Sequence, residues 1–359
     1  MNTPIQANDI DTIEALAPGH PVFQLYGKND DSIVIKAEGD ETKSLGQHAQ
    51  VLAVVDPNAL HIVLTAQERQ ELRRWANSVN ASDTATRNAL VELNKVLLFD
   101  LHFSSRKVKY GNDQGANQKT QVIFKMQPRA GLTDLKKASS KIRNQDGTVD
   151  KTDVRLIAKA LNASGGLEQL GQILAADFFN GSQDRFSAPF YDMYKKNALV
   201  TEGGAYTYYE GTTKKSKRFK IIQNHGNVFV YMDGKKARPI GLDFFDYGSA
   251  ARDYSLDDTE EIESRSPWPG RWLINGDDEA QARWLIAQNV VDDLNEVLGP
   301  RDRTFSIART ERLEKNAANR FYQGIDQGIA ALKEAWEQKK LGGTKPAPGL
   351  LWRIGILGW

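Results

Sequence analysis

The chain contains no cysteine, which excludes disulfide frameworks, thiolate zinc sites, iron–sulfur clusters and a cysteine nucleophile, and leaves the redox compartment open. Histidine is scarce too. The five present, His20, His48, His61, His102 and His225, show none of the i, i+3 or i+4 pairing that a helical metal site needs. No stretch approaches roughly 18 consecutive apolar residues, so no transmembrane segment is expected. The opening MNTPIQANDIDTIEAL is acidic and lacks both a basic n-region and an apolar h-region. No secretory or transit signal is therefore expected, and synthesis as a soluble cytoplasmic protein is the default. Neither charge is in excess: 47 Lys+Arg face 46 Asp+Glu, a net charge of +1. That balance removes the global electrostatic footprint of a dedicated nucleic-acid binder, and no nucleic-acid partner is expected.

What is present is an ordinary globular composition, 40% hydrophobic and 26% charged, over 359 residues. That length suits two to three domains or one large two-lobed enzyme. Residues 1–20 read as a loose N-terminal arm. VFQLY (22–26) and SIVIK (32–36), separated by GKNDD, give a hairpin signal. Asp40 is a candidate cap for a helix over 41–54, and LHIVL (60–64) is a short β run. Thr65 with Glu68 three residues on forms a capping box that opens an amphipathic helix to about residue 78. A second helix is expected over roughly 83–100, then a Gly/Asn-rich turn at 110–118 and a strand at TQVIFKM (120–126). Beyond Pro128 the pattern turns helical, at 151–163 and 166–180. YTYYEGTTKKSKRFK reads as a hairpin with a basic tip, and NVFVYM with RPIGLDFF as another hairpin. Residues 253–263 hold six acids and no bases and read as a solvated loop. Helices over about 277–298 and 309–340 precede a Gly/Pro linker and the apolar tail of 341–359. These features define an N-terminal β-rich region over 21–130 and a mainly helical region over 131–340 with an insertion at 186–222.

The chemistry concentrates in three stretches: LGQILAADFFNGSQDRF, NHGNVFV and RPIGLDFFDYG. A helix runs into a Gly-containing loop presenting Asp184 and Arg185. Asn227 (or Asn224) precedes a strand, and Asp243 closes the following hairpin. Carboxylate, amide and carboxylate in that order are the set phosphoryl transfer needs. One carboxylate orients or deprotonates the acceptor hydroxyl, and an amide with a second carboxylate holds Mg²⁺ against the phosphates of ATP.

In these motifs the chain resembles the atypical branch of the protein-kinase-like superfamily that contains the HipA toxin kinases, actin-fragmin kinase and the phosphoinositide kinases. The resemblance spans about residues 22–300 and implies an α+β, two-lobed kinase-like fold with a β-rich N-lobe and a mainly helical C-lobe. It implies Asp184 and Arg185 as the catalytic pair, and Asn227 and Asp243 as Mg²⁺ ligands. It also implies a strand lysine on the α/β-phosphates: Lys36 of SIVIK, paired with Glu41, with Lys125 of QVIFK as the second candidate. Met126 and Gln127 then lie beside the adenine. The loop here reads GSQDRF, with Phe186 where histidine is frequent, and the last motif reads IGLDFFDYG. About forty residues separate Asp184 from Asn227, so the insertion must return to the site. Only Gly27 marks the turn before Lys36.

The expected activity is transfer of the γ-phosphoryl group to a protein or lipid hydroxyl. Kinase-fold enzymes that transfer AMP or drive ligation, and a pseudokinase acting as an interaction module, are the alternatives. The basic segment Lys214–Lys220, comprising Lys214, Lys215, Lys217, Arg218 and Lys220, is a candidate contact for the acceptor. The cysteine-free composition, polar arm and insertion also suit an effector secreted into another cell.

Overall fold

Alternation along VFQLYG and SIVIKAEGD puts Phe23, Leu25, Ile35 and Ala37 on one side of a hairpin, and that side must find a cover. A computed structural model of the chain describes residues 4–16, 21–29, 31–40, 51–56, 62–97, 120–128, 131–140, 152–180, 185–186, 199–201, 205–218, 221–222, 225–233, 235–241, 279–298 and 312–338. The fold is α+β, with antiparallel sheets and helices that divide into two compact units. One unit is Met1–Ala49 with Leu60–Arg129, and the other is Gln50–Ala59 with Ala130–Trp359.

The first unit holds a five-stranded sheet made from β1 (Ile10–Ala15), β2 (Val22–Gly27), β3 (Ser32–Asp40), β4 (Ile62–Val63) and β5 (Thr120–Met126), in the order β1-β2-β3-β5-β4. The expected hairpin forms, with Phe23 opposite Ile35 and Leu25 opposite Ile33. Two helices, α1 (Ala66–Ser78) and α2 (Thr84–Leu97), supply the cover. Leu72, Trp75, Leu90, Leu93 and Val96 pack in one cluster with Phe23, Leu25, Ile35, Ala37 and Ile123.

The capping box at the start of α1 is present in full. Thr65 Oγ1 accepts from the Glu68 backbone N–H at 3.2 Å, and Glu68 Oε2 accepts from the Thr65 N–H at 2.9 Å. The arm is not loose where it is described. Residues 10–15 form edge strand β1 along β2, and Ile5, Ile10 and Ile13 are buried in the core cluster. The Ile5 and Ala7 N–H groups donate to Glu68 Oε1 and Glu71 Oε2. Spaced apolar residues amid acids hid this strand, whose pairing is interrupted by a register shift between Ile10 and Thr12.

In the second unit β6 (Thr133–Asp134) leads into α3 (Leu135–Ser140), followed by α4 (Thr152–Asn162) and α5 (Gly166–Asn180). Strands β7 (Leu199–Thr201), β8 (Ala205–Glu210) and β9 (Thr213–Arg218) make one three-stranded sheet. A second, in the order β11-β10-β6, contains β10 (Phe229–Asp233) and β11 (Lys236–Ile240). Two long helices follow, α6 (Glu279–Leu298) and α7 (Ala317–Glu337).

Helix α7 starts later than the expected residue 309. Asn162 takes the Arg312 carbonyl through Nδ2 and the Glu314 N–H through Oδ1, so these backbone groups are bonded sideways rather than along a helix. The basic run is also displaced from its expected place. The hairpin tip is Gly211-Thr212, and Lys214, Lys215, Lys217 and Arg218 lie within strand β9. Among the described residues no helix is long and apolar enough to cross a membrane. The expected helix over 41–54 is described only at 51–55, which is helical. The Gly/Asn-rich turn, the acidic stretch 253–263 and the apolar tail lie outside the described residues.

Candidate functional site

Helix α5 delivers the chain to the loop that carries Asp184 and Arg185. Its placement is set by α7, against which it packs with backbone-to-backbone closeness: a Cβ on Gly171 would lie 2.4 Å from the Phe321 carbonyl oxygen. At the far end of α5 the Arg185 side chain turns inward and is fully buried. Its Nε donates to the backbone carbonyl of Asn227 at 2.9 Å, and its Nη1 lies 3.5 Å from Asp177 Oδ2 on α5. A buried guanidinium needs this kind of company, because an unpaired charge in the interior costs several kcal/mol. Arg185 therefore ties the end of α5 to the turn 42 residues onward.

Phe186, the next residue, is fully buried and forms an antiparallel bridge with Ile222. The two ends of the segment between them thus lie side by side. Its return leg is held by Asp293 of α6, whose buried carboxylate accepts from the Ile221 and Ile222 N–H groups at 2.9 and 3.4 Å. A 3-10 turn over His225–Asn227 follows, and Asn227 ends it, two residues before β10 starts at Phe229. Asn227 is buried, and its backbone carbonyl is the acceptor of the Arg185 Nε hydrogen bond. An amide oxygen in that position is of the hard kind that Mg²⁺ accepts.

Strand β11, the hairpin partner of β10, ends at a second buried carboxylate. Asp56 Oδ2 accepts from the Gly241 N–H at 2.9 Å, at the exit of β11 and two residues before Asp243. The exit is close-packed: a Cβ on Gly241 would meet Leu52 Cδ1 at 2.9 Å, so a larger residue there would have to push that side chain aside. Residues 51–56 also offer the Val55 carbonyl to Gln169 Nε2 of α5 at 2.9 Å. A short helical piece therefore braces both α5 and the exit of β11. Asp56 and Asp293 carried no motif. Their only sequence signal is a carboxylate beside apolar neighbours, single in AVVDP and one of an adjacent pair in NVVDDL.

In the first unit the two candidate lysines lie on opposite faces of the sheet. Lys125 pairs in register with Ile35 and so shares the helix-covered face, whereas Lys36 pairs with Phe124 and Val22 on the other. Lys125 is buried, and its Nζ donates to Glu68 Oε1 at 2.5 Å. Burial pushes the Glu68 carboxyl upward. The hydrogen bonds from Lys125, from the Thr65 N–H and hydroxyl, and from the Ile5 N–H outweigh it and hold the group below the ordinary glutamate range. The capping glutamate of α1 is thus also the counter-ion of a buried lysine. Lys36 is half-buried. Met126 is buried at the end of β5 and Gln127 beyond it is exposed.

Asp184, Asp243, Glu41, Asn224 and Lys220 lie outside the described residues. Among the described residues no group of three or more His, Cys, Asp or Glu side chains could hold a metal ion. Comparison of the chain with protein-family models, with curated proteins and with solved structures finds no match.

Proposed function

We propose that the protein is a two-lobed, kinase-like phosphotransferase that uses ATP and Mg²⁺ to phosphorylate a hydroxyl of a protein or lipid acceptor. The observation that carries this is the closure of the insertion. Arg185 bonds to Asn227, and Phe186 bridges Ile222, so the roughly forty intervening residues do not separate the loop of Asp184 from the turn of Asn227.

In the proposed reaction Asp184 accepts the proton of the acceptor hydroxyl. The acceptor oxygen bonds to the γ-phosphorus, the bond from that phosphorus to the β,γ-bridging oxygen breaks, and ADP leaves. Asn227 and Asp243 would hold Mg²⁺, which supplies charge neutralisation on the phosphates when bound. Arg185 acts through its neighbours: its Nε bonds the Asn227 carbonyl and its Nη1 lies 3.5 Å from Asp177, which ties the catalytic segment to the turn of Asn227. Lys36 is the lysine proposed for the α/β-phosphates, because Lys125 is enclosed with Glu68 at side-chain exposures of 4% and 3%. Met126 and Gln127 form the adenine-side segment.

The test is calorimetric titration of ATP with and without Mg²⁺, followed by intact-mass analysis after incubation with Mg-ATP. Mg²⁺-dependent binding and addition of one phosphoryl mass are expected. Addition of AMP mass would move the enzyme to nucleotidyl transfer, and Mg²⁺-independent binding, or none, would overturn the proposal.

A further inference from the structure

Strand β9 lies at one edge of the β7-β8-β9 sheet and reads Thr-Lys-Lys-Ser-Lys-Arg, four bases and no acid. The sheet makes no extensive contact with the other described elements, and Thr213, Lys214 and Lys215 are exposed. The hairpin is closed by a two-residue loop, with Glu210 opposite Thr213. In such a hairpin the closing pair is hydrogen-bonded and pairs alternate from there. Lys214, Ser216 and Arg218, opposite Tyr209, Thr207 and Ala205, consequently turn their backbone N–H and C=O groups to the open edge. Among the described strands that edge has no neighbour, and it is carried on a strand of one charge. Its charge repels a second copy of itself, which is how natural sheets prevent self-pairing, while it attracts an extended chain of the opposite sign.

We propose that the outer edge of β9 docks acidic, extended segments of partner proteins, which add to the sheet as a fourth strand. Acids at alternate positions of the added strand fall on one face of the sheet, in register with alternate positions of β9, 215 and 217 or 214 and 218. This docking holds whether or not the chain transfers phosphoryl groups.

The experiment is fluorescence anisotropy of the full chain with a short labelled peptide of alternating Glu and Val. The comparison probes are the same peptide N-methylated at alternate residues, a labelled oligonucleotide, and phosphatidylserine vesicles. Saturable binding that N-methylation abolishes is expected. It should weaken as salt rises to about 0.5 M, where the Debye length is roughly 4 Å. Lys215→Glu with Lys217→Glu should lower affinity by about tenfold or more with an unchanged circular dichroism spectrum. Equal binding of the N-methylated peptide, or tighter binding of the oligonucleotide or vesicles, would make the strand a polyanion or lipid surface and overturn strand addition. No peptide binding by the wild-type chain would also overturn it. Titration of Mg-ATP on the same sample reads the phosphotransfer site separately, so either proposal can fail alone.

Discussion

Arg320 on α7 holds both carboxylate oxygens of Glu168 on α5, through Nε and Nη2 at 2.8 Å each. The same guanidinium donates to the Asn162 and Ala163 carbonyls at 3.0 and 2.6 Å, satisfying acceptors at the end of α4. One arginine thus joins three helices in the unit that carries the loop of Asp184. The hydrogen bond from Arg320 outweighs burial and holds the Glu168 carboxyl below the ordinary glutamate range, and the Arg320 guanidinium is held above its own.

A depressed carboxyl stabilises the fold above its unfolded pKa, about 4.3, and that stability is lost as pH falls through the lower folded value. Glu168→Gln should cost about 1–3 kcal/mol at neutral pH, a charge-assisted bidentate pair being lost. The difference in melting temperature between wild type and variant should shrink below about pH 4. A difference that stays constant from pH 7 to about pH 3 would show that the ion pair contributes nothing.

Beside that pair the helices touch through glycine. A Cβ on Gly324 would lie 2.2 Å from the Glu168 carbonyl oxygen, and one on Gly328 would lie 2.8 Å from Ala175 Cβ. Backbone cannot move aside as a side-chain end can, so Gly324→Ala must separate α5 from α7. Despite the better helix propensity of alanine, a loss of about 1–3 kcal/mol is expected in urea denaturation, and, on the proposed function, reduced Mg-ATP binding, because α5 leads toward Asp184. A variant as stable as wild type would mean that the helices are not this close.

The two lysines of the first unit should separate by readout. Lys125→Ala leaves Glu68 buried without its counter-ion and should cost about 3–5 kcal/mol. Lys36→Ala should weaken Mg-ATP binding by an order of magnitude or more at a smaller cost in melting temperature than Lys125→Ala, because Lys36 is half-buried where Lys125 is buried. Loss of nucleotide binding in a still-folded Lys125→Ala protein, with Lys36→Ala unaffected, would transfer the phosphate role to Lys125.

At the exit of β11, Asp243→Ala should abolish Mg²⁺-dependent nucleotide binding at unchanged stability. Asp56→Asn, which weakens the hold on the Gly241 N–H, should raise the Mg²⁺ concentration needed for half-saturation without abolishing binding. Wild-type Mg²⁺ dependence in Asp56→Asn would confine that carboxylate to a structural role.

The elements that the sequence makes legible are those written in local patterns. The capping box at Thr65 and Glu68, the alternation of Phe23 and Leu25 against Ile35, and the helical spacing of Leu167, Leu170, Ile173 and Leu174 each need only a few neighbouring residues to be seen. Long-range partnerships leave no such trace. Nothing in QVIFK announces that Lys125 meets Glu68, 57 residues away, or in AVVDP that Asp56 meets Gly241, 185 residues away. The basic run lies in a strand rather than at a tip for a related reason: charge marks solvent exposure equally well on a loop and on an edge strand, and only the register against Tyr206, Tyr208 and Tyr209 distinguishes them.

The chain passes between its two compact units three times, at 49/50, 59/60 and 129/130, because residues 50–59 belong to the second unit while their neighbours on both sides belong to the first. No single cut releases either unit whole. A fragment starting at residue 130 would lack Val51, Leu52 and Val55, all buried, and would leave the Gly241 N–H and the Gln169 amide without their acceptors. The piece that braces the candidate site is thus delivered by the middle of the other unit's sequence, and dissection into independently expressed halves must keep it with the C-terminal part, by circular permutation or by grafting.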